Sequence, residues 1–196
     1  MVKPVSKSHA IKLRAQSGVE RLALMTDQHR LPAPEQAIAR LPAGSIVILR
    51  DYGHPDRSAI ARALRPMCRK AGCWFLVAGD AALARTVKAD GVHLPEYMLR
   101  QRPLNLRGFA LITAACHNRQ ALGRAARLGV DLAIVSPVFP TDSHPGAPVL
   151  GVHRLARLRH GQTMAVAALG GISTATAGRL RALNLSAVAG ISGIVD

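Results

Sequence analysis

Aromatic residues are scarce in this sequence, at 3% of 196 residues. A core of any size must therefore be built from Ala, Leu, Val and Ile, and the 49% hydrophobic content is enough to build one. Apolar runs long enough to span a bilayer are absent. No apolar stretch follows Lys3 and Lys7, so no secretory signal is visible. Cysteine is limited to Cys68, Cys73 and Cys116. An odd number at these spacings fits no zinc or redox motif and reads as reduced thiols of a cytoplasmic protein. Acidic residues are also few, 11 against 26 Lys plus Arg, for a net charge of +15. Such a surface attracts anions. The arginines recur on helix-like segments such as RSAIARALRPMCRK and NRQALGRAARLG, which reads as a solvated, Arg-rich outer face. With no aromatic interleaving and no RNP-type motif, nucleic acid is not an expected partner.

Short apolar runs alternate with helix-like runs from Glu20 onward. The strand-like runs are RLALMT (21–26), SIVILR (45–50), CWFLVA (73–78), GVHL (91–94), GFALIT (108–113), DLAIVS (131–136), TMAVAAL (163–169) and SAVAGI (186–191). Between them lie PEQAIARL, PDRSAIARALRPMCRKAG, DAALARTVKA, HNRQALGRAARLG, VHRLARLRHG and STATAGRLRALN, each with a helical pattern. Asp56, Asn118 and Ser173 are expected as caps, Gly129 as a stop, and Pro66 as a bend or end. The strands are continuously apolar, as strands buried on both faces are, which predicts a parallel sheet covered by helices.

Eight such units predict an α/β fold, a compact (β/α)8 TIM barrel. An open doubly wound sheet is the alternative, but no GxGxxG follows the first strand. The pattern shows no helix after the eighth strand. Residues 1–20 are then a basic N-terminal segment that covers the barrel as a helix, or a partner subunit covers it in a homodimer. Residues 21–196 form the single barrel domain.

In such a barrel the active site lies at the carboxyl ends of the strands. LGGIS places Gly170 and Gly171 after strand seven, and GISG places Ile191 and Ser192 after strand eight. Glycines let backbone N–H groups turn toward a ligand, and these two loops are where barrels often hold phosphate. Tight turns alone would also explain them. Arg50 ends an apolar strand on the same face, where a guanidinium needs an anion or water. Asp27 is expected to pair with Arg50 or to cap the following loop. Asp80 reads equally as a metal ligand and as an N-cap. His93 reads as a hydrogen-bonded structural residue, and Cys116 as an inert core thiol.

The segments LRD (49–51), AGDAALA (78–84), ADGVHLPE (89–96), SPVFPTDSHPGAPVLG (136–151) and ALGGIS (168–173) stand in order at barrel spacing. Together, from about Arg21 to Ile194, they resemble the thiamine-phosphate synthase/TenI family. The resemblance implies transfer of an aminopyrimidine-methyl group from its diphosphate to hydroxyethylthiazole phosphate, with release of pyrophosphate. It implies Mg²⁺ and small phosphorylated substrates. It assigns Arg50 to the diphosphate, Thr141 and Ser143 to the thiazole phosphate together with Gly170, Gly171, Ile191 and Ser192, and Asp80 to Mg²⁺, with Glu96 as a substitute second ligand. The sequence departs from the family pattern at several positions. Tyr52 and His144 stand where the family has lysines, Ile48 where it has glutamine, Gly79 where it has asparagine, and Met98 near the second Mg²⁺ aspartate. A TenI-like thiazole tautomerase, which needs no metal, is the alternative. Its strand-six histidine is Pro137 here, leaving His144, His117 and His93 as candidates for proton transfer. A non-catalytic phosphate-ligand-binding barrel is the third expectation.

Overall fold

Eight short strands pair in sequence order, and β1 (Arg21–Met25) pairs with β8 (Ala187–Gly190) to close a fully parallel barrel. The computed structural model describes residues 7–101, 104–141, 146 and 148–194. The intervening strands are β2 (Ile46–Leu49), β3 (Trp74–Ala78), β4 (Gly91–Leu94), β5 (Leu111–Cys116), β6 (Leu132–Val135) and β7 (Ala165–Leu169). The α-helices are α1 (Lys7–Ser17), α2 (Pro34–Ile38), α3 (Arg57–Lys70), α4 (Ala81–Thr86), α5 (Arg119–Arg127) and α6 (Gly151–Arg159). Two 3₁₀ helices, Glu96–Arg100 and Ala177–Leu183, fill the connections after β4 and β7. The expected (β/α)8 architecture is the one observed.

Alternation along each strand divides the apolar residues into two cores. Leu22, Leu24, Val47, Leu49, Phe75 and Val77 face outward and pack under the helices. Ile46, Ile48, Leu76, Leu132 and Ile134 face inward and fill the barrel with Ala23, Ala167, Ala187 and Ala189. A barrel of eight strands encloses just enough space for side chains, so this interior is packed core.

Helix α1 buries Ala10, Leu13 and Ser17, and packs against β1 and the 3₁₀ helix that leads into β8. Among the described residues no helix follows β8.

Two local expectations are corrected. Pro66 does not end the helix: α3 continues to Lys70, with Leu64 and Cys68 on either side of it buried in the outer core. Ser173 does not cap an α-helix. The segment becomes 3₁₀, starting at Ala177. Thr176 Oγ1 donates to the Gly171 carbonyl at 2.9 Å and accepts from Ser173 N–H at 3.0 Å, folding residues 171–176 into a hydroxyl-bonded turn.

Gly91 shows how tightly β4 meets β5. A Cβ on it would lie 1.9 Å from the Leu111 carbonyl oxygen, a backbone atom that cannot swing aside. Gly91→Ala is expected to lower unfolding stability by about 2–4 kcal/mol in urea titrations. A loss below about 0.5 kcal/mol would mean that this strand contact is soft.

Candidate active site

The ends of β1 and β2 are locked by a hydrogen-bonded cluster. Thr26 Oγ1 donates to Asp51 Oδ2 and accepts from Arg50 N–H at 3.0 Å. Asp51 Oδ1 accepts from Gln28 N–H at 2.6 Å. Asp27 does both things expected of it. Its Oδ1 accepts from the N–H groups of His29 and Arg30, each at 3.1 Å, and its Oδ2 pairs with the Arg50 guanidinium. Burial works to raise the Asp27 carboxyl, but those two N–H groups and the Arg50 charge outweigh it and hold the group below its ordinary value. Arg50 stands in a cleft of about 310 Å³ lined by Asp27, His29, Asp51 and Tyr52.

A second guanidinium, missed in the sequence, lies beside the first. Arg57 opens α3, yet its side chain turns back over the strand ends and is only 12% exposed. It donates to the carbonyls of Ala78 and, at 3.3 Å, Leu49, so it ties β3 to β2. Its Nη1 is 3.9 Å from Asp80 Oδ2, and its guanidinium lies 5.7 Å from the Tyr52 ring centroid. A cation thus rests on the side chain that replaces the family's lysine. The available signal was an arginine in the first turn of a helix, where the macrodipole disfavours positive charge.

The implied metal ligands are engaged elsewhere. Asp80 Oδ1 caps α4 by accepting from Leu83 N–H at 2.8 Å, while Oδ2 faces Arg57. Glu96 accepts from His117 N–H at 2.8 Å and from the Asn118 side chain at 3.4 Å, which holds the loop leading into α5. Met98 is packed against the outer core. Among the described residues no group of three or more His, Cys, Asp and Glu side chains is placed to hold a metal ion. Mg²⁺ takes oxygen ligands in near-octahedral geometry, commonly one or two carboxylates with substrate phosphates. These residues build no all-protein cage, and Asp80 Oδ2, without a hydrogen bond among the described residues, is the carboxylate oxygen that would hold such an ion.

His117 reaches across to the end of β6. Its Nδ1 is 2.8 Å from the Ser136 carbonyl, which only accepts, so Nδ1 carries the hydrogen. The imidazole therefore sits next to Pro137, although His117 follows β5 in the chain. It also lines a cleft between α5 and α6, outside the β1–β2 cluster. His93 is fully buried inside the barrel, with Nδ1 2.8 Å from Thr113 Oγ1, and burial with the nearby Arg50 charge pushes its pKa down to about 3. Burial and the Glu96 charge push the Cys116 thiol up to about 12, which leaves almost no nucleophilic thiolate at neutral pH.

On the opposite side of the mouth the glycine loops touch other backbone. Val138 N–H donates to Leu169 O at 2.9 Å, and Phe139 N–H to Gly170 O at 3.0 Å, so the loop after β6 lies on the end of β7. A Cβ on Gly171 would meet the Pro140 carbonyl at 2.2 Å, and φ there is +63°. Gly193 approaches the Ile172 carbonyl, so the loops after β7 and β8 adjoin. Close packing already requires Gly170 and Gly171 to be glycine, whatever ligand they meet. Ile191 is buried at this edge and Ser192 is partly exposed beside it. Thr141 is partly buried, while Ser143 and His144 fall outside the described residues. The structure thus collects Arg50 and Asp80 near Arg57 on one side, and Gly170, Gly171, Ile191 and Ser192 on the other.

The His93 environment sets a pH dependence. Its folded pKa is about 3 against an ordinary value of 6.5, so the unfolded chain binds the proton first as pH falls. The stabilisation is complete above about pH 6.5 and is lost toward pH 3, at up to about 1.4 kcal/mol per pH unit. His93→Gln is expected to flatten that slope in denaturant titrations between pH 7 and 4. Equal slopes in both proteins would show that His93 titrates normally.

The native thiols are expected to resist iodoacetamide at pH 8 and to react on unfolding, as followed by intact mass. Rapid labelling of Cys116 in the native protein would contradict its raised pKa.

Comparison with known proteins adds an independent line. The family profile described as thiamine monophosphate synthase matches residues 22–194. A thiamine-phosphate synthase of Thioalkalivibrio sulfidiphilus is 34% identical over 174 residues, covering 86% of this chain and 82% of that one. One from Acidithiobacillus ferrooxidans is 31% identical over 191 residues, covering 90% and 87%. The solved thiamine phosphate pyrophosphorylase of Pyrococcus furiosus superposes with a TM-score of 0.71 at 22% identity, covering 91% of this chain and 88% of that one, a likeness of fold. The matched segment runs from β1 through both glycine loops, and on that ground the chain belongs to the thiamine monophosphate synthase family.

Proposed function

We propose that this barrel joins an aminopyrimidine diphosphate to hydroxyethylthiazole phosphate, forming thiamine phosphate and pyrophosphate. The bond between the pyrimidine methylene carbon and the diphosphate oxygen breaks, and its electron pair leaves with the diphosphate. The thiazole nitrogen lone pair then forms the new carbon–nitrogen bond, and no proton is transferred. The chain's part is to hold the leaving diphosphate and the thiazole phosphate in line and to stabilise the developing negative charge. Arg50 supplies a charge-assisted contact to the diphosphate, with Arg57 fixing the strand ends and Tyr52 beside it. The adjoining loops after β7 and β8 receive the thiazole phosphate. The observation that carries this reading is the family match across residues 22–194, which includes both sides of the mouth. A cytoplasmic setting and small phosphorylated substrates belong to the same proposal. No helix among the described residues is long and apolar enough to cross a membrane.

One observation favours a second reading. The carboxylates that would hold Mg²⁺ are engaged in capping, while the His117 imidazole stands at the end of β6. Proton transfer on the thiazole phosphate, as in the TenI branch, needs such a group and no metal.

The test is turnover. Purified protein is incubated with both substrates and Mg²⁺, and thiamine phosphate is followed by fluorescence after oxidation. Product is expected, with Arg50→Ala slowing its formation by at least about 100-fold. Absence of product above the enzyme-free rate would reject synthase activity. Thiazole tautomerisation, assayed in parallel with His117→Asn as control, would then carry the second reading.

A further inference from the structure

The arginine-rich faces of α5 and α6 do more than meet solvent. Between them lies a cleft of about 310 Å³ lined by Arg119, Arg154, Arg157, His117, Leu150 and Leu158. Arg154 and Arg157 are three residues apart and project from one face of α6. The Arg119 guanidinium is drawn to the same place, donating to the Arg157 carbonyl across the helices at 3.0 Å. None of the three forms an ion pair among the described residues. Three like charges gathered around one concavity repel one another, and an anion relieves that repulsion. The neighbouring carboxylate, Glu96, is taken up by His117 N–H and the Asn118 side chain at one edge and pairs with none of the three.

We propose that this cleft is a second ligand site, distinct from the barrel mouth, for an organic diphosphate. A diphosphate carries about three negative charges at neutral pH, one for each arginine, and guanidinium forks pair with phosphoryl oxygens two at a time. Leu150 and Leu158 give the cleft an apolar wall that a bare inorganic ion would leave unused, so the ligand carries a flat apolar ring. The volume falls at the lower end of the range of small-molecule sites. The site is wired to the mouth. His117 lines the cleft through its ring and holds the Ser136 carbonyl at the end of β6, and its N–H is held by Glu96. Occupancy of the cleft therefore bears on the loop that follows Ser136.

The test is isothermal titration of the full-length chain carrying Arg50→Ala, which removes the diphosphate contact proposed at the mouth, in 150 mM salt with two probes, ADP and inorganic pyrophosphate. ADP is expected to bind saturably at one site, and at least about tenfold more tightly than pyrophosphate. In that background Arg62→Gln with Arg69→Gln, exposed on α3, is expected to alter ADP binding less than twofold, and Arg154→Gln with Arg157→Gln to weaken it at least about tenfold. Arg154 and Arg157 are exposed, and unchanged circular dichroism checks that each variant is folded. Four outcomes overturn the proposal: no saturable binding; binding kept in the Arg154→Gln, Arg157→Gln variant; equal weakening by the α3 changes, which marks diffuse charge attraction; or pyrophosphate binding as tightly as ADP. Direct binding is the readout, so failure here leaves the turnover result untouched.

Discussion

Closure of β1 onto β8 is the constraint on which the rest depends. A parallel sheet of eight strands leaves no edge only if the last strand hydrogen-bonds the first, and here that seam runs from Arg21 opposite Ala187 to Leu24 opposite Gly190. Most inward residues near the seam are small, Ala23, Ala187 and Ala189, with Ala167 next to them on β7 and with Met25 and Ile191 closing the cluster at its top. Ile46, Ile48, Leu76, Leu132 and Ile134 fill the interior from the other strands. A chain with almost no aromatics can pack a barrel this way, with large aliphatic groups opposite a thin alanine wall. The loops at the thin wall can then approach closely, and the glycine loops after β7 and β8 adjoin there.

The mouth inherits that asymmetry. Over the alanine wall the contacts are backbone on backbone, and the glycines are fixed by the proximity of Pro140 and Ile172. Over β1 to β3 they are side chains, with two guanidiniums and three carboxylates tied to one another and to strand-end carbonyls. Neutral backbone and charged side chains thus stand on opposite sides of the mouth. The two substrates proposed above, one a monophosphate and one a diphosphate, match that division.

The fold was readable because each strand is a continuous apolar run between helical patterns, and nothing in the packing overrides that. Local errors came where tertiary contacts decide. Pro66 stays within α3 because burial of Leu64 and Cys68 holds the helix together. Ser173 loses its cap role because Thr176 captures the Gly171 carbonyl. At the site, the dual role of Asp27 and the capping by Asp80 were visible from neighbours in sequence. Arg57 was not, because its partners, the carbonyls of Leu49 and Ala78 and the Asp80 carboxylate, come from other elements. The bond from His117 to the Ser136 carbonyl escaped for the same reason: it joins the ends of β5 and β6, which are adjacent only once the strands pair.

Charge at the mouth is largely balanced internally. Every described carboxylate at the mouth already has donors: Asp27 from His29, Arg30 and Arg50, Asp51 from Thr26 and Gln28, Asp80 from Leu83, Glu96 from His117 and Asn118. Asp80 Oδ2 is the exception, with Arg57 at 3.9 Å and no hydrogen bond among the described residues. Arg50 carries five N–H donors and gives only part of that fork to Asp27. In the proposed reaction a diphosphate competes with the Asp27 carboxylate for the Arg50 guanidinium. The net charge of +15 draws such an anion toward the barrel.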